Sequence, residues 1–173
     1  MNLPNKLTIL RIILVPVFIV LYLTKIYIPA CVVFAVACIT DMLDGRIARK
    51  YNLVTNFGKI MDPLADKILV YSAFCLFVEK GVVPGWMFII ILFREFAIAG
   101  MRTVAASEGT VIAAAMSGKI KTVLQMFTVG TLIVSTMAPW ITVLGKVLLW
   151  ASLIMTVVSG VEYIYKNRKV FTF

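Results

Sequence analysis

The chain has 173 residues, 62% of them hydrophobic and 14% charged, with a mean hydropathy of +1.02. Soluble domains carry about a quarter charged residues, so this composition excludes a soluble globular protein and predicts an all-α integral membrane protein, one domain over residues 1–173. The net charge of +9 is dispersed among the ends of apolar segments, which argues against nucleic acid and for an anionic membrane surface and phosphate-bearing ligands.

Residues 2–11, Asn-Leu-Pro-Asn-Lys-Leu-Thr-Ile-Leu-Arg, predict a short interfacial segment at the N-terminus. Six apolar stretches follow, at 7–25, 28–50, 58–79, 84–106, 119–138 and 142–165. Each is close to the roughly 20 residues that a bilayer-spanning helix needs, so six transmembrane helices are expected. Residues 12–24 are followed by no small-x-small cleavage site and run straight into the next apolar stretch, which predicts a retained span rather than a signal peptide. Pro16 is expected to bend that span. The boundaries coincide with Lys25 and Pro29, Tyr51-Asn52, Gly81 to Pro84, Glu108-Gly109, and Pro139.

In this arrangement 14 of the 17 lysines and arginines fall on one side, and Lys25, Lys80 and Lys146 on the other. The positive-inside rule places both termini at the cytoplasmic side, in agreement with an even number of spans. Arg94 and Arg102 lie inside the fourth stretch, while Lys119 and Lys121 open the fifth. Cations there are expected to face a bundle interior or a polar cavity. Cys31, Cys38 and Cys75 sit in apolar runs without metal-type spacing and read as packing residues; Trp86, Trp140 and Trp150 read as interface anchors or packing. The chain contains no histidine, which removes the usual zinc ligand, the usual general base and any Ser-His or Cys-His nucleophile.

All four aspartates, Asp41, Asp44, Asp62 and Asp66, fall within 26 residues. Asp41, Asp44 and Ala48 share one helix face, as do Gly58, Asp62 and Asp66 on the next helix. The polar turn from Tyr51 to Asn56 is short, so the two helices are expected to be antiparallel neighbours with their acidic faces meeting near the cytoplasmic interface. Four crowded carboxylates repel one another and need cations. All-oxygen donors favour Mg²⁺ or Mn²⁺, and two such ions balance four carboxylates and can clamp the attacking and leaving oxygens of a phosphoryl transfer. Gly45, Ala48 and Gly58 leave room for a ligand beside them, although small residues also serve close helix packing. Pro63 either kinks a helix beside this site or marks a helix start near Asp62.

The stretch D-x2-D-G-x2-A-R-x8-G-x3-D-x3-D, from Asp41 to Asp66, resembles the signature of the CDP-alcohol phosphatidyltransferases at all eight specified positions. Softer similarities lie in residues 2–11, in Asp62-Pro-Leu-Ala-Asp-Lys67, in Arg94-Glu95 with Arg102, and in Lys119-Ile-Lys-Thr122 with Gln125. They resemble the members that use glycerol 3-phosphate as acceptor. The resemblance implies a six-helix bacterial cytoplasmic-membrane protein, commonly a homodimer, with its active site open to the cytoplasm. By position, it implies that Asp41, Asp44 and Asp62 bind a pair of Mg²⁺ or Mn²⁺ ions. Asp66 would face the metals and act as general base, and Gly45, Ala48, Arg49 and Gly58 would shape or contact the CDP portion. The implied substrates are CDP-diacylglycerol and sn-glycerol 3-phosphate.

The acceptor's own phosphate asks for a second basic pocket, for which Arg94, Arg102, Lys119 and Lys121 are the candidates. Glu95 is expected to pair with a cation or to line that pocket. A different acceptor, phosphatidylglycerol or inositol phosphate, would use the same chemistry. A divalent-cation transporter is the reading from another class, weakened because no second acidic site continues a path across the membrane.

Overall fold

The computed structural model describes residues 2–50, 55–107, 109, 112 and 115–168; the side chains of residues 3, 4, 42–50, 56, 59 and 60 lie outside that description. The described residues form six α-helices: α1 (Leu3–Leu23), α2 (Tyr27–Lys50), α3 (Asn56–Glu79), α4 (Gly85–Ser107), α5 (Met116–Ser135) and α6 (Thr142–Lys166). A single 3₁₀ turn, Pro139–Ile141, precedes α6. They lie where the six apolar stretches predict them.

Local chemistry explains several of the ends. Pro4, Pro84 and Pro139 stand at or just before helix starts, where a missing N–H costs nothing. Thr55 caps α3 by accepting a hydrogen bond from the Gly58 N–H at 3.0 Å. Gly81, at a φ of 69°, supplies the left-handed residue just after α3.

Two helices, over Asn5–Leu23 and Pro139–Lys166, are long and apolar enough to cross a bilayer; the apolar part of α2, Tyr27–Asp41, is shorter. The described helices between them are diluted by the ionisable residues that concern the site: Asp41, Asp62, Asp66, Lys67, Arg94, Glu95, Arg102, Lys119 and Lys121. Together with the hydropathy, this is an all-helical membrane protein.

Three features differ from the sequence expectation. Residues 2–11 do not form a separate segment, because α1 runs unbroken from Leu3 and carries Thr8 and Arg11 into the protein as buried side chains. Pro16 lies within that helix. Among the described residues α2 and α3 touch only slightly, and α1 packs extensively on both. The first helix therefore links the two acidic ones. Pro63 is inside α3, which begins seven residues earlier, so it marks no helix start and leaves the Lys59 carbonyl without its usual i+4 donor.

The bundle has two unlike ends. Phe18, Tyr22, Phe34, Phe74 and Phe77 form an apolar core with Val83 and Ile91, held by tilted and edge-to-face rings such as Tyr22–Phe77 at 5.7 Å. At the other end a smaller apolar cluster of Ile98, Met101 and Tyr163 is joined by buried polar and charged side chains, among them Thr8, Arg11, Glu95, Lys121 and Ser159. Elsewhere, α5 packs most extensively on α6, and α4 docks on α6. Trp86 and Trp150 pair at 5.9 Å.

Candidate active site

The acidic side of the site is organised by α1. Arg11, 2% exposed, forms an ion pair through Nη1 with Asp41 of α2, and its Nη2 lies 3.9 Å from Oδ1 of Asp62 on α3. One turn earlier, Thr8 donates to the same Asp62 oxygen at 2.5 Å. The i, i+3 spacing of Thr8 and Arg11 puts both on one face of α1. A guanidinium suits this task because its fork can meet two carboxylates at once. Arg11→Met should therefore lower the melting temperature in detergent markedly, since truncating one partner of a buried ion pair costs about 3–5 kcal/mol. Unchanged melting would show that the pairing contributes little.

Gly58 sits in a ring of oxygens. A Cβ there would lie 3.3 Å from Asp62 Oδ2, 3.4 Å from Thr55 Oγ1 and 3.5 Å from Asn5 Oδ1. Thr55 in turn donates to Asn5 Oδ1 at 2.9 Å. The small residue at 58 thus preserves an oxygen-lined nook beside Asp62. Those oxygens, with the Asp41 and Asp62 carboxylates close enough to share one guanidinium, are a donor set that fits a hard divalent cation. Among the described residues no three acidic side chains form a ready cluster. The side chains of Asp44, Gly45, Ala48 and Arg49 lie outside the described residues.

Asp66 lies one helical turn beyond Asp62 on α3. It lines a small cavity with Lys67, Tyr71, Glu95, Lys121 and Gln125, between α3, α4 and α5. The charges acting on it are those of Asp41, Arg11, Lys67 and Lys121. Asp66 therefore stands between the acidic side and a basic cluster.

That cluster is built around Glu95. Its Oε1 accepts from Arg94 Nη1 at 2.7 Å and from Lys121 Nζ, and its Oε2 lies 3.6 Å from Lys67 Nζ. Arg94 Nη2 donates to Ser159 Oγ on α6 at 3.0 Å. Arg102 donates from Nε to the Tyr163 hydroxyl at 3.1 Å and lies over that ring. Asp41, Lys67, Arg94, Glu95, Arg102 and Lys119 line one cavity of about 450 Å³. Its four cations outnumber its two carboxylates, so the cavity is net positive and fits an anion.

Of the four basic candidates read from the sequence, Arg94, Arg102 and Lys119 share this wall. Lys121 does not line it; it lies behind, 3% exposed, neutralising Glu95 and lining the small cavity of Asp66. Sequence reasoning assigned no site role to Arg11, Thr8 or Lys67. The signal for the first two was a threonine and an arginine three apart in a largely apolar helix, a pattern that makes sense if that face meets polar partners. A second, apolar cavity of about 640 Å³ lies between α2 and α5, lined by Phe34, Ile39, Phe127 and Val134. It shares Cys38, Val123 and Met126 with the basic one, so the two are neighbours.

A CDP-alcohol phosphatidyltransferase family profile matches residues 1–158. The chain is 42% identical, over 96% of its length and 95% of the relative's, to a CDP-diacylglycerol–glycerol-3-phosphate 3-phosphatidyltransferase of Bacillus subtilis. It is 36% identical to a protein of the same description from Rickettsia felis, covering 98% of this chain and 97% of that one. A probable phosphatidylglycerophosphate synthase of Mycobacterium tuberculosis is 37% identical over 94% of this chain and 80% of its own. Signature, near-full-length identity and a polar cavity that joins Asp41 to a ring of cations agree: the chain belongs to the CDP-alcohol phosphatidyltransferase family.

Proposed function

We propose that the protein transfers the phosphatidyl group of CDP-diacylglycerol to sn-glycerol 3-phosphate, giving phosphatidylglycerophosphate and CMP. The observation that carries this reading is the net-positive cavity in which Arg94, Arg102, Lys119 and Lys67 share a wall with Asp41. An acceptor bearing a phosphomonoester matches that charge, and its hydroxyl end can then point toward the aspartates. The relatives named for this reaction support the choice of acceptor.

In the proposed reaction Asp66 accepts the proton of the acceptor hydroxyl. The freed oxygen forms a bond to the phosphorus that carries diacylglycerol, and the bond from that phosphorus to the CMP oxygen breaks. Asp41, Asp44, Asp62 and Asp66 are the residues that would hold Mg²⁺ or Mn²⁺, two ions by charge balance. Such ions supply neutralisation of the diphosphate and of the departing CMP. The chain's own contribution is to orient the partners. The oxygen-ringed nook at Gly58, with Gly45, Ala48 and Arg49 of α2, receives the CDP portion, and the cations of α3, α4 and α5 fix the acceptor. The neighbouring apolar cavity between α2 and α5 offers the two acyl chains a path into the lipid. The six helices span the cytoplasmic membrane with both termini and the site on the cytoplasmic side, and the working unit is a homodimer.

The purified protein in detergent, supplied with CDP-diacylglycerol, should incorporate label from glycerol 3-phosphate and not from inositol phosphate or phosphatidylglycerol. CMP release should stop on chelation and return with Mg²⁺ or Mn²⁺. Preferential labelling from either other alcohol would overturn the acceptor, chelation without effect would overturn the metal role, and the absence of any CMP release would favour a transporter.

A further inference from the structure

We infer that Gly160, with Ser159 and Glu95, positions the acceptor's phosphate by holding the Arg94 guanidinium in a single pose at the cavity wall. The inference rests on the acceptor reading above and goes beyond it by naming what fixes the binding cation.

Arg94 leaves α4 and passes between α5 and α6. A Cβ on Gly160 would stand 3.0 Å from Arg94 Cγ and 4.0 Å from its Nε, and one on Gly118 would stand 3.4 Å from Nη2. The side chain is thus flanked along its stem by a glycine of α6 and at its tip by a glycine of α5. By contrast, Gly100 of α4 has nothing within 4 Å of the same construction. A glycine inside a helix comes at a cost in stability relative to alanine. At Gly160 that cost is matched by a requirement, since the neighbour that needs the space is the arginine itself.

Polar contacts complete the hold. Arg94 Nη1 is fixed by Glu95 at 2.7 Å and Nη2 by Ser159 at 3.0 Å, which sets the plane of the guanidinium. Glu95 also draws Lys67 and Lys121 to itself, so one carboxylate gathers three cations. The cluster keeps two positive charges, the complement of a phosphomonoester dianion. A cation ordered before the ligand arrives loses less side-chain freedom on binding than a mobile one.

The test uses the full chain in detergent as wild type, Gly160→Ala, Arg94→Ala, the double variant and Gly100→Ala. Steady-state kinetics are read for both substrates, and glycerol 3-phosphate binding is measured by calorimetry. Gly160→Ala should raise both KM and Kd for glycerol 3-phosphate by about tenfold, the scale expected of a slightly misplaced binding group. Its kcat and its KM for CDP-diacylglycerol should stay within about twofold of wild type, the split expected when only acceptor binding is lost. In the Arg94→Ala background, where no Cγ remains, Gly160→Ala should add nothing, and Gly100→Ala should behave as wild type. A Gly160→Ala penalty that persists without Arg94, or one that falls equally on both substrates, overturns the inference, as does an unchanged KM. Should Gly160→Ala fail to fold, Ser159→Ala removes only a hydroxyl and carries the same expectation: an acceptor KM raised in wild type and unaffected in Arg94→Ala supports the inference, and any other outcome overturns it. A wild-type protein that neither binds nor consumes glycerol 3-phosphate overturns the acceptor reading first; wild-type use with indifferent variants overturns the inference alone.

Discussion

Asp66→Asn is expected to cut turnover by about two to four orders of magnitude, the contribution typical of a positioned general base. CDP-diacylglycerol binding should change little. The amide keeps the shape of the carboxylate but cannot take a proton from the acceptor hydroxyl. The location of Asp66 makes this variant informative. It lies between the Arg11 pairing of Asp41 and Asp62 and the basic cluster, in the small cavity that also holds Lys67 and Lys121. A loss confined to kcat fits a residue that acts on the acceptor's proton. Near-normal CMP release by the purified variant would remove Asp66 from that role, and a collapse of CDP-diacylglycerol binding would make it a ligand-holding residue instead.

Glu95→Gln should have the largest effect on stability. Glu95 forms the ion pairs with Lys67, Arg94 and Lys121, and Lys121 is 3% exposed. Its neutralisation removes the paired carboxylate of a buried ammonium that stands beside two other cations. Breaking a buried pair from one side costs about 3–5 kcal/mol, while removing both partners costs much less. The melting temperature in detergent should therefore fall sharply in Glu95→Gln and recover in part in Glu95→Gln with Lys121→Met. A single variant that melts with the wild type would show that the cluster is solvated in the membrane-embedded protein. A double variant no better than the single would place the penalty at Arg94 or Lys67 instead.

The elements themselves were well marked in the sequence. The apolar stretches at 28–50 and 84–106 coincide almost residue for residue with Tyr27–Lys50 and Gly85–Ser107, because polar turns and prolines interrupt long hydrophobic runs. The grouping of Arg94, Arg102 and Lys119 was also legible, since cations inside apolar helices have few places to go. Arg11 was not. It looked like one more positive charge near the N-terminus, and spacing within α2 and α3 says nothing about a third helix packed on both. Lys121 shows the converse limit: periodicity cannot distinguish a lysine that lines a cavity from one held behind its wall by Glu95.

The packing of α1 on both α2 and α3 bears on how the protein is made. Arg11 leaves the ribosome before either Asp41 or Asp62, so each carboxylate enters the membrane after the cation that will meet it. An arginine on an isolated helix is costly within a bilayer, and that cost falls only when its partners arrive. The first three helices therefore form the smallest fragment in which Arg11 meets both of its carboxylates. A nascent chain stalled after α1 should remain loosely held at the insertion machinery, whereas one stalled after α3 should be released into the lipid as a packed unit.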